Sequence, residues 1–166
     1  MRNTDIEKIV NSVTEQMSKS KAVIRYDNIT LHLAKLIASK IEVKAAEMNV
    51  NAVISICNAG ARPVLTECMD DSYIASYDVA FNKAYTSVSL KMSTSRLKTL
   101  TQPHGPLYGI QNTNDNKIVI FGGGEPLILG GKIIGGLGVS GGSEEQDTAL
   151  AAYGAACVEQ EANKCL

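Results

Sequence analysis

The sequence predicts an α+β fold, an antiparallel sheet of about five short strands with helices before, between and after them. Three observations predict it. The runs AVISIC (52–57), PVLTECM (63–69), KIVIF (117–121), PLIL (126–129) and KIIGGLGVS (132–140) are short and rich in β-branched residues, as strands are. Several are joined by links too short for a crossover, which makes neighbouring strands antiparallel. Segments with helical apolar spacing and N-capping residues lie around them.

The elements follow in order. Thr4-x-x-Glu7 spells a capping box, and Ile6, Ile9, Val10, Val13 and Met17 follow at helical spacing, which predicts an N-terminal helix within residues 1–20. KSKAVIRYDN (19–28) is a polar connection into a single domain covering 21–166. A second helix is expected from about Thr30, with Ala34, Ile37, Ile41, Ala45 and Met48 on one stripe. NAGAR (58–62) turns the first strand into the second. IASYDVAFNKAYTSVSLK (74–91) reads as a third helix, with Ala75, Val79, Ala80, Lys83 and Ser87 on neighbouring faces. Ser93 or Thr94 caps a short helix ending near Leu100. QPHGPLYG (102–109) is a loop, TNDN (113–116) a turn and GGGEP (122–126) a bend. Gly130-Gly131 supplies the positive φ of a tight hairpin. Ser143-x-x-Gln146 opens a final helix, expected to run from Glu144 nearly to Leu166 with Ala149, Leu150, Tyr153 and Val158 among its apolar positions.

Composition narrows the function. Sixteen basic residues against seventeen acidic ones give a net charge of −1, which is no electrostatic footprint for nucleic acid. Aromatics at 5% leave little for stacking on bases. No apolar run is long enough to span a bilayer, and the opening MRNTDIEKIV lacks the core of a signal peptide, so a cytoplasmic location without membrane contact is expected. Cys57, Cys68, Cys157 and Cys165 form no C-x-x-C pair and have no histidine at metal-finger spacing, which reads as reduced thiols.

One motif argues for a nucleotide. Gly136-x-Gly138-x-x-Gly141 matches the dinucleotide fingerprint letter for letter. That fingerprint works inside a strand–helix–strand unit whose second, parallel strand follows the helix, with an acid about twenty residues on. Glu159 and Glu161 stand near that distance, but too little chain remains for the strand. Glu144, Glu145 and Asp147 also fill the first helical turn, where a pyrophosphate would have to sit. The glycines are therefore expected to admit close packing against a strand and to form the corner into the last helix, with no nucleotide bound.

FGGGEPL, GKIIGGLGVSGGSEEQD, GPLYGI and FNKAYTS together resemble the GlcG/HbpS family, the haem-binding or haem-degrading group that includes the C-terminal domain of PduO proteins. The resemblance covers about Thr30 to Tyr153, roughly three quarters of the chain. It implies a profilin-like fold, a five-stranded antiparallel sheet with helices on both faces in three layers. It also implies a homo-oligomer, a tetramer to an octamer, and in several members a bound haem. Asn58 and Cys68 stand where the family pattern commonly has an aspartate and a basic residue, and His104 where glycine is usual.

Against that background the ligand-capable residues are few. Axial haem ligands are His, Cys, Met or Tyr. His32, off the apolar stripe of its helix, is either an exposed helix residue or an iron ligand at a subunit interface. His104 tops a loop between two prolines, from which a histidine can swing to a ligand. Met92 and Tyr108 are lesser candidates. Lys83 either binds a haem propionate or another small carboxylate, or snorkels to a carbonyl or to Asp78. Thr86 shares its face and offers a hydroxyl to the same group. Glu125 either reaches a pocket from the glycine bend or stays solvated. No G-x-S-x-G or H-E-x-x-H constellation is present, so enzymatic activity is left open. Three readings follow: a haem- or tetrapyrrole-binding homo-oligomer, an auxiliary or enzyme of diol, glycerol or glycolate metabolism acting on a corrinoid or hydroxy acid, and an assembly scaffold.

Overall fold

A computed structural model describes residues 27–164. The expected N-terminal helix of residues 1–20 lies outside the described residues. The order is α1 (Leu31–Glu47), β1 (Val53–Asn58), β2 (Pro63–Cys68), α2 (Ser76–Leu90), α3 (Thr94–Leu100), two 3₁₀ turns (Ile110–Asn112 and Asn114–Asn116), β3 (Gly124–Leu129), β4 (Lys132–Ser140), α4 (Glu144–Ala156) and α5 (Val158–Lys164).

The strands form one sheet in the order β2-β1-β4-β3, every pair antiparallel. Among the described residues it has four strands, and the expected fifth, KIVIF, is not one of them. Its apolar residues are satisfied differently. Ile118 and Val119 are buried, and the Val119 amide donates to the Thr86 hydroxyl at 3.0 Å instead of to a neighbouring strand. One side-chain acceptor thus replaces a ladder bond, and the segment lies along α2 without joining the sheet.

Helices cover both faces of the sheet. On one side Ile54, Ile56, Leu137 and Val139 meet Leu33, Ile37 and Ile41 of α1 and Leu150 and Ala151 of α4 in the principal core. α1 forms because Thr30 caps it, accepting from the Leu33 amide at 3.2 Å, and because the expected stripe Ala34, Ile37, Ile41 and Ala45 is buried. The other side belongs to α2, whose buried residues are mostly small: Ser76, Ala80, Ala84, Thr86 and Ser87 beside Val88 and Lys83.

The local signals resolve as sequence suggests. Gly130 and Gly131 have φ of 56° and 77° in the β3–β4 hairpin. Ser143 and Gln146 form a complete capping box at α4. Ser93 caps α3, accepting from the Arg96 amide. The final helix is not continuous, however: α4 closes at Cys157 and α5 restarts at Val158.

Candidate functional site

The fingerprint glycines sit at the centre of the sheet. β4 pairs antiparallel with β1 on one side and β3 on the other, so Gly136, Gly138 and Gly141 do not open a parallel strand–helix–strand unit. A Cβ at Gly138 would fall inside the van der Waals shell of the Ala80 carbonyl oxygen, and one at Gly136 inside that of Ala84. These glycines let the α2 backbone rest directly on the strand. Gly141 and Gly142 turn β4 into α4, as expected.

Lys83 is the most constrained ionic group of this layer. Its side chain is fully buried, and its Nζ donates to Asp147 Oδ2 at 2.7 Å and to the Val139 carbonyl at 2.8 Å. The Phe121 ring lies over it with its centroid 5.1 Å away. Burial pushes the ammonium pKa down, and the neighbouring Asp147 carboxylate opposes that shift. The other Asp147 oxygen accepts from the Gly142 amide at 2.9 Å. Lys83 thus ties α2, β4 and the first turn of α4 together. Its partner is Asp147 and not Asp78, which is exposed. Next to it, Glu144 accepts from Lys98 at 2.6 Å and from the Gly122 amide at 2.9 Å, and both hold its carboxyl below the usual range.

Thr86 faces away from this knot. Its hydroxyl lies 2.7 Å from the Asn82 carbonyl and 3.2 Å from that of Lys117, and it accepts from Val119. Lys83 and Thr86 therefore do not converge on one external group. His32 is exposed in the first turn of α1, on the opposite side of the sheet from α2, beside Leu31, which is 50% exposed. His104 is exposed on its loop with φ 67°. Met92 is half-buried and Tyr108 exposed. Glu125 is half-buried in β3, and burial raises its pKa.

Two surface features escape sequence reading. A half-open groove of about 270 Å³ lies between α1 and the β1–β2 hairpin, lined by Ser39, Glu42, Ile54, Glu67, Cys68 and Met69. At the head of α2, Tyr73, Ile74 and Tyr77 stand exposed together. Only the second had a sequence signal, three large apolar residues within five positions beside the acidic Asp70-Asp71 pair.

Fold and packing define a class: an α+β protein built on an antiparallel four-stranded sheet, with a glycine-floored helix on one face and an aliphatic core on the other. Among the described residues no helix is long and apolar enough to cross a membrane. The chain belongs to the HbpS-like family, described as haem degrading protein HbpS-like, whose pattern matches residues 29–156. It is 44% identical over 144 residues to an uncharacterized 15.0 kDa protein from the dhaT-dhaS intergenic region of Citrobacter freundii, covering 87% of this chain and 99% of that one. It is 41% identical over 109 residues to the corrinoid adenosyltransferase PduO of the same organism, covering 66% of this chain but only 32% of the enzyme. The crystal structure of a PduOC:heme complex superposes with a TM-score of 0.75 at 36% identity, covering 78% of this chain and 94% of the other.

Proposed function

We propose that the protein binds haem or a related tetrapyrrole as a cytoplasmic homo-oligomer of profilin-like subunits, with His32 as the iron ligand. The observation that carries this reading is the likeness to the PduOC:heme complex over nearly the whole of that chain. The local chemistry fits. His32 offers an imidazole to solvent, and Leu31 beside it supplies apolar surface for a flat macrocycle. A single exposed helix face cannot enclose such a ring, so a second subunit must close the site, and a tetramer to octamer satisfies that need. His104 is the alternative ligand. The polar atoms of Lys83 and Thr86 are engaged inside the subunit, on the opposite face of the sheet from His32.

The PduO likeness favours a second reading, an auxiliary of diol, glycerol or glycolate metabolism whose tetrapyrrole is a corrinoid. Titration separates the two. Hemin is expected to give a sharp Soret band saturating at a fixed ratio per subunit, lost in His32→Ala and retained in His104→Ala. A broad band like that of free hemin, unchanged by either substitution, overturns the haem reading. Saturable spectral shifts with cobalamin in place of hemin would establish the second.

A further inference from the structure

We infer that copies of the protein associate head to tail, the acidic, aromatic start of α2 in one copy docking on the basic end of α2 in a second. The inference supplies a contact for the homo-oligomer proposed above and rests on that part of the reading, not on haem. At the start of α2, Ile74 is 97% exposed, Tyr73 72% and Tyr77 52%. The three lie on a single turn, where the Ser76 amide donates to the Tyr73 carbonyl and the Tyr77 amide to that of Ile74. Single exposed apolar residues need no explanation, but a contiguous group of three marks a contact surface. Asp70, Asp71 and Asp78 stand exposed around it, unpaired among the described residues, and no basic residue occurs between positions 70 and 78.

The other end of α2 has the complementary character. There Val88 packs in one cluster with Cys57, Ala61 and Ile133. Three exposed cations adjoin that cluster in the chain: Arg62 after Ala61, Lys132 before Ile133, and Lys91 at the C-cap of α2. Asp27 engages Lys132, whereas Arg62 and Lys91 have no acidic partner among the described residues. Ile128, the register partner of Ile133, is 45% exposed and adds apolar surface.

Charge selects the occupant. Like ends meeting would set three carboxylates against three carboxylates, or cations against cations, whereas unlike ends pair opposite charges around apolar side chains. The helix dipole accounts for Asp78 in the first turn and Lys91 at the C-cap, but not for Asp70, Asp71 and Arg62, which lie outside the helix. Fifteen residues of helix span about 22 Å, so one copy cannot join its own two ends. The contact therefore runs between copies. Each copy offers one end of either kind, and such unlike contacts repeat around a closed ring or along a filament.

Size exclusion with light scattering on the full chain tests the inference. Asp70→Lys with Asp78→Lys makes both ends basic, and Arg62→Glu with Lys91→Glu makes both acidic. All four side chains are exposed, so the fold is retained. Each double variant is expected to run near the subunit mass of 17.7 kDa. Their equimolar mixture is expected to regain the parent mass, because every contact again joins an acidic end to a basic one. A salt titration needs no variant: association of the parent is expected to weaken about tenfold between roughly 0.05 and 0.5 M salt. Double variants that keep the parent mass, a mixture that stays dispersed, or association indifferent to salt overturns the inference. An oligomeric parent with any of these results leaves the homo-oligomer standing on another interface, whereas a monomeric parent removes both. None of these readouts involves hemin, so the Soret titration stands or falls separately.

Discussion

Lys83 is a full positive charge without access to solvent, and three groups make that tolerable: the Asp147 carboxylate, the Val139 carbonyl and the Phe121 ring. A buried pair of this kind earns little net stability over an apolar pair of equal volume, yet breaking it strands a charge. Lys83→Ala is therefore expected to cost about 3–5 kcal/mol in urea unfolding. The double replacement Lys83→Met with Asp147→Leu should recover most of that loss, and a double variant as unstable as the single one would contradict the account. Sequence groups Lys83 with Ala80 and Ser87 on neighbouring faces of its helix, because helical spacing is local. It did not find the partner, which lies 64 positions away. Its position marks Asp147 only as a first-turn acid complementing the helix dipole.

The elements differ in how openly they declare themselves. Thr30, Ser93 and the Ser143–Gln146 box announce helix starts because capping involves residues within three positions. KIVIF does not reveal its state, because a strand is defined by a neighbour, and here the neighbour is a threonine hydroxyl. The seat of α2 on β4 gives a sharp test. Gly138→Ala places a methyl against the Ala80 carbonyl, where backbone cannot yield without lifting the helix. Overpacking of this kind costs about 1–3 kcal/mol, and a shift in the urea midpoint at unchanged slope would measure it. The start of α4 gives a pH-dependent one. Glu144 has its folded pKa lowered by Lys98 and by the Gly122 amide, so the folded state binds its proton less readily than the unfolded state. Its contribution is present above the ordinary value of 4.5 and is lost as pH falls through the lowered folded value. Glu144→Gln should thus be less stable than the parent at pH 7, by roughly 1 kcal/mol, with the two converging in acid. A gap that stays constant down to pH 2 would refute this.

At the scale of the molecule, the fold class and the family were legible, and the surface was not. The antiparallel arrangement follows from short links, and the acidic first turn after the fingerprint glycines already spoke against a phosphate there. The groove beside Cys68 could not be foreseen, because it depends on how α1 crosses the β1–β2 hairpin and not on any one segment. The two candidate histidines were readable as residues but not as neighbours, since one stands at the start of α1 and the other on the loop after α3. The glycine floor beneath α2 has a mechanical corollary. Where main chain rests on main chain there are few interstices to surrender, whereas larger Leu and Ile side chains fill the layer beneath α1 and α4. Hydrostatic compression should therefore act unequally on the two sides of the sheet, wetting the aliphatic side while the glycine side still holds.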